Sequence, residues 1–187
     1  HGPVVTRLGL GCAPLGNLFT AVADDEAAAT VDAAWDAGVR FFDTAPLYGH
    51  GLSERRLGRA LARRPRNEWV LSTKVGRLLR PVDRPVDTIF DLPSGGGAAG
   101  GEAAAAARVA PVFDFSADGV LRSIEASLVR LGTDRIDVVL VHDPDDHQDE
   151  ALAGAFPALL RLRDEGVVAA VGAGMNQSEA LDRFVQQ

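Results

Sequence analysis

The hydrophobic period of this chain switches repeatedly, and that switching limits the folds open to it more than any other feature. Short β-branched runs read as strands at residues 8–10, 39–42, 69–73, 136–141 and 167–171. Between them lie longer segments with apolar residues at helical spacing. One carries Ala27, Val31, Ala34 and Trp35 behind an acidic start of Asp24, Asp25 and Glu26, and Gly38 suits the left-handed residue that ends it. A second opens at Ser53 and Glu54 and carries Leu57, Ala60 and Leu61. Ser116 is placed to cap a third, with Val120, Ile124, Leu128 and Leu131 on one face and Gly132 at its end. A fourth carries Leu152, Phe156, Leu159 and Leu160 and stops at Gly166; a fifth, capped by Ser178, carries Leu181 and Phe184. Residues 136–141 are almost wholly apolar, as in a parallel strand covered on both faces. Strand–helix alternation means parallel strands with right-handed crossovers, an α/β fold. A doubly wound sheet and a (β/α)8 barrel both satisfy this pattern.

Between Lys74 and Ser116 the rhythm lapses. No element is convincing there, and residues 94–107 are almost all Gly and Ala. A flexible loop over about residues 76–115 is therefore expected. Because it follows a parallel strand, it belongs to the functional face, as a flap over a ligand. An insertion without a role is the competing reading.

Composition narrows the partners. A chain of 187 residues suits one domain, taken as 1–187, with a sizeable core. The net charge of −7 argues against nucleic acid, and the lack of a Lys/Arg block argues against an anionic membrane surface. No apolar run reaches the ~18 residues of a membrane span. Cys12 is the one cysteine, so no intrachain disulfide forms, which fits a cytoplasmic location. It reads as a small buried residue rather than a reactive thiol.

Four polar residues fall at or just past the C-terminal ends of expected strands: Asp43, Tyr48, Lys74 and His142. In a parallel barrel these ends converge on one mouth. An ammonium beside a phenol stabilises phenolate, a carboxylate holds the ammonium, and a histidine orients a substrate oxygen. Together they form an acid–base site for a carbonyl/alcohol pair. Singly, each has a duller reading as a turn residue or a solvated side chain. The acidic loop with Asp143, Asp145, Asp146, His147, Asp149 and Glu150 lacks calcium-loop spacing, so no metal is expected. Gly9-x-Gly11 is a poor dinucleotide fingerprint, because Pro14 stands where its third glycine belongs.

The run Gly38-Val39-Arg40-Phe41-Phe42-Asp43-Thr44-Ala45-Pro46-Leu47-Tyr48-Gly49, followed by Ser53-Glu54 and Leu57-Gly58, strongly resembles the signature of the aldo-keto reductase family. So do Ser127-Leu128, Arg130-Leu131-Gly132 and Asp134-Arg135-Ile136-Asp137, running into Val141-His142. The resemblance implies a (β/α)8 TIM-type barrel that binds NADP(H) or NAD(H) without a metal. It also implies the catalytic set Asp43, Tyr48, Lys74 and His142, acting on a small-molecule carbonyl or alcohol by direct hydride transfer. Tyr48 would be the general acid/base, Lys74 paired with Asp43 would tune it, and His142 would position the substrate oxygen. Gly11, Cys12 and Ala13, together with Asp43, would lie against the cofactor. Asn176 would bond the nicotinamide carboxamide, with Met175 standing where the family often has serine. Val75-Gly76-Arg77-Leu78, Phe113-Asp114-Phe115-Ser116 and His142-Asp143-Pro144-Asp145 look most like the branch acting on sugars and pyridoxal.

The resemblance leaves the chain short. A barrel of this type has eight strands and about 250 residues, whereas only about five β/α units are read here, so a C-terminally truncated barrel is expected. The segment that would choose NADP over NAD is then absent. Two other functions stay open: a Schiff-base lyase using Lys74, and a non-catalytic barrel that binds a nucleotide or a partner. Neither substrate identity, reaction direction nor oligomeric state is written in the sequence.

Overall fold

In the computed structural model, which describes residues 2–84, 86–92 and 102–186, five parallel strands stand side by side in chain order. They are β1 (Leu10–Gly11), β2 (Phe41–Asp43), β3 (Val70–Val75), β6 (Val138–His142) and β7 (Ala170–Gly174). Each is the neighbour of the next, as in consecutive strands of a (β/α)8 barrel. The helices α1 (Asp24–Asp36), α2 (Leu52–Leu61), α4 (Ala117–Leu131), α6 (Phe156–Asp164) and α7 (Ser178–Val185) each follow one strand, and a single turn, α5 (Gln148–Glu150), lies between β6 and α6. The fold is a run of five β/α units of that barrel.

Alternation along the strands sets the two faces. Phe42, Leu71, Val75, Val139 and Val141 point outward into a core shared with Val31, Leu57, Leu61, Val120 and Leu159 of the helices. Phe42 is fully buried, a burial that contributes about 1.5–3 kcal/mol relative to exposure. The intervening residues, among them Asp43, Lys74 and His142, face inward. Register fixes their heights: Asp43 lies opposite Ser72, Lys74 opposite Leu140, and His142 opposite Gly174.

Several local expectations hold. Ser116 Oγ accepts from the Gly119 N–H at 3.0 Å, and Gly132 closes α4 at φ 62°. Gly38 and Gly166 also take positive φ after their helices. The expected cap at Ser178 does not: it is the first residue of α7, after an extended Gln177. Strands begin one to three residues later than their apolar runs, because the backbone pairs only where neighbouring strands overlap.

The larger correction concerns residues 76–115. Much of that span is not a loop. β4 (Arg77–Pro81) and β5 (Val109–Phe113) pair antiparallel in a separate two-stranded sheet, and Glu102–Ala106 forms a short helix, α3. The glycine-rich part of the expected loop, residues 93–101, lies outside the described residues. The pairing was masked by Pro111, which breaks the strand pattern; it is tolerated in this two-stranded ribbon, where each strand has a free edge.

Candidate active site

The loops after β1 and β2 are stitched together before any chemistry is considered. The Cys12 N–H donates to the Asp43 carbonyl at 2.8 Å, and Ser53 Oγ donates to the Cys12 carbonyl at 2.7 Å while sharing a 2.9 Å bond with Thr44 Oγ1. Gly16 lies so close to the backbone of Tyr48 and Gly49 that a Cβ there would overlap it. The turn bearing Tyr48 is thus seated on the first loop. Glu54, with no exposed surface, accepts from Thr73 Oγ1 at 2.8 Å and from Arg130, tying α2 to β3 and α4. A buried carboxylate requires such partners.

On this frame the four expected residues come together. Lys74 Nζ donates to Asp43 Oδ2 at 2.7 Å and to the Thr44 carbonyl at 3.0 Å. The same ammonium lies 4.8 Å from the centre of the Tyr48 ring. The Tyr48 and His142 rings meet edge to face with centroids 5.6 Å apart. All four line one open cleft of about 710 Å³ at the C-terminal ends of the strands. Leu18, Phe19, Ile89 and Phe90 form its apolar side. Burial first, and then the positive charges of Lys74 and Arg77, pushes the His142 pKa down to about 3. The imidazole is therefore neutral at physiological pH and can donate one hydrogen bond. Its Nδ1 is buried without a partner. A lone pair is less costly to bury unpaired than an N–H, so the proton belongs on Nε2, 3.5 Å from Asp143 Oδ2.

The residues expected around a cofactor divide. Ala13, Asp43 and Asn176 line the cleft, and no described residue bonds the Asn176 side-chain amide. Gly11 ends β1 and is exposed. Cys12 turns the other way: its thiol is fully buried in the outer core, 3.5 Å from the Leu10 carbonyl, and burial pushes its pKa up. In the acidic loop after β6, Asp143 pairs with Arg77 and Asp149 with Arg183, while His147 and Glu150 share a hydrogen bond.

Sequence reasoning quoted Arg77 and Asp143 only within motifs and an acidic loop and foresaw no contact between them. Arg77, on β4, reaches over the Phe113 ring to Asp143 Oδ2 at 3.0 Å. Asp143 then stands beside His142 in the cleft wall. The available signal was the position of Arg77 three residues beyond Lys74, just past Gly76, which takes φ 98°.

Sequence comparison places this geometry among known proteins. The profile of the Aldo/keto reductase family matches residues 7–185. The chain is 48 % identical over 193 aligned positions to a D-threo-aldose 1-dehydrogenase from Pseudomonas sp., covering 100 % of this chain and 55 % of that protein. It is 40 % identical to a pyridoxal 4-dehydrogenase from Microbacterium luteolum, covering 94 % of this chain and 54 % of the other. It superposes with a TM-score of 0.72 and 34 % identity on a solved Pseudomonas aeruginosa structure described as an aldo-keto reductase, over 100 % of this chain and 61 % of that one. The chain thus spans about half the length of the curated relatives it matches.

Proposed function

Because the chain belongs to the aldo/keto reductase family, we propose that its strand-end cluster carries the proton transfer in a nicotinamide-dependent interconversion of a carbonyl compound and its alcohol. The observation that carries this reading is the Asp43–Lys74 ion pair, 2.7 Å long and packed against the Tyr48 ring. The cleft suits the nucleotide on its own features: Ala13 and Met175 offer apolar contact, and the free Asn176 amide matches a carboxamide edge. When bound, the nucleotide gives or takes the hydride at the carbonyl carbon.

The protein's part is acid–base and positional. In reduction, the Tyr48 hydroxyl gives its proton to the substrate oxygen; in oxidation it takes that proton back. The Lys74 ammonium attracts the negative charge that develops on the phenol oxygen as the proton leaves. Asp43 keeps that ammonium in place, and the Thr44 carbonyl fixes its direction. His142, neutral and protonated on Nε2, donates to the substrate oxygen and sets its approach. The ion pair also disfavours an imine-forming Lys74, which would need a neutral amine with a free lone pair. The named activities of the relatives favour a sugar lactol or an aromatic aldehyde as substrate.

A fluorescence titration with NADPH and with NADH tests the reading and separates the two nucleotides. Saturable binding is expected, followed by hydride transfer that Tyr48→Phe lowers by about 10²–10⁴-fold while nucleotide affinity is kept. Full activity in Tyr48→Phe would remove the tyrosine from the mechanism. Binding with no turnover on any carbonyl would favour a non-catalytic barrel.

A further inference from the structure

Asp143 in the cleft wall pairs with Arg77 behind it, and the acid–base steps above do not use this pair. Each partner is fixed from a second direction. The Arg77 guanidinium lies 4.7 Å from the centre of the Phe113 ring, and the Asp143 N–H donates to the Gly174 carbonyl at 3.0 Å. Asp143 sits at φ 41°, a left-handed conformation that Asp adopts more readily than most residues but still at a cost. Such conformations persist where neighbours over-determine them, and they cluster at ligand clamps.

The carboxylate is not fully spent. Oδ2 accepts from Arg77 and lies 3.5 Å from His142 Nε2, but no donor among the described residues engages Oδ1. With the side chain 34 % exposed and lining the cleft, a charged acceptor is held open beside the imidazole. In the reaction proposed above, the reacting oxygen sits against His142 Nε2. A carboxylate at that separation meets a hydroxyl carried on the neighbouring carbon. Phe19 and Ile89, which also line the cleft, are largely exposed apolar side chains, 75 % and 60 %, and suit the C–H face of the same molecule.

Resting on the oxidoreductase reading, we propose that Asp143, clamped by Arg77, is a specificity-determining residue that accepts a hydrogen bond from a hydroxyl next to the reacting carbon. The site then selects α-hydroxy carbonyl compounds and their cyclic hemiacetals over plain aldehydes. A site built around a buried or clamped acceptor rejects the analogue that lacks the donor, because its own polar group is left unpaired. The duller role for the pair, a latch that only pins the hairpin to the sheet, gives no reason to discriminate between such ligands.

The test is an NMR titration of the chain with D-ribose and with 2-deoxy-D-ribose, read at the His142 imidazole. It is run on the wild type and on Asp143→Asn, which keeps the side-chain size and tolerates positive φ. Ribose is expected to bind about 10–100-fold more tightly than its deoxy analogue. Asp143→Asn should close that gap by weakening ribose alone. Equal affinities in the wild type, no saturable binding of either sugar, or an equal loss of both in the variant overturns the proposal. The wild-type comparison decides even if the variant fails to fold. Hydride transfer from ribose to NADP⁺ is measured separately. Its absence with the binding difference intact would sink the oxidoreductase reading and leave the hydroxyl site standing.

Discussion

His142 shows how one side chain can report on its surroundings. Its pKa is about 3 in the fold against 6.5 for a free imidazole, so between those values the unfolded chain binds a proton that the native chain refuses. Protonation then pulls toward unfolding as the pH falls through this window. The wild type should lose roughly 2–3 kcal/mol from this group between pH 7 and pH 4.5. His142→Gln, which cannot titrate, should lose that much less, as read from urea midpoints at the two pH values. Parallel decline of both proteins would mean that the imidazole is not held neutral. Asp43, Lys74 and His142 were legible in the sequence because strand ends in a parallel sheet gather at one mouth. Arg77 was not, because its role depends on a strand pairing between residues 36 positions apart, Arg77 with Phe113.

Among the elements, α2 and α4 approach unusually closely at Gly58, whose hydrogen points at the Leu131 carbonyl where a Cβ would overlap it. Gly58→Ala improves helix propensity by about 1 kcal/mol yet forces the two helices apart. A net destabilisation of about 1–3 kcal/mol is expected, visible as a lowered thermal midpoint; a raised midpoint would show that the contact can relax. Helix identity was legible from the 3.6-residue period, as in Val120, Ile124 and Leu131, all buried in α4. The β4–β5 hairpin was not. Its alternation is short, Pro111 interrupts it, and its two strands lie far apart in the sequence. The buried Glu54–Thr73–Arg130 network was similarly invisible, since each member lies on a different element and reads alone as a surface residue.

At the scale of the whole molecule, the five-stranded sheet packs its outer face under helices and turns its inner face to the cleft. Phe41, Val138 and Leu140 stand partly exposed on that inner face and line the cleft. Anilinonaphthalene sulfonate should therefore bind the folded chain and fluoresce at neutral pH, and Leu140→Glu should reduce the signal without removing cooperative unfolding. An unchanged signal would place the dye elsewhere. The β4–β5 hairpin has a further consequence at this scale. It is hydrogen-bonded as a sheet of its own and leaves the order of the five parallel strands untouched. The groups assigned to proton transfer come from the parallel sheet and its adjoining loops, whereas Arg77 comes from this appended ribbon. The clamp that holds Asp143 thus comes from a cassette separable from the reactive groups, and grafting a different ribbon between β3 and α4 would be a way to retune the choice of substrate while leaving those groups, and Asp143 itself, where they are.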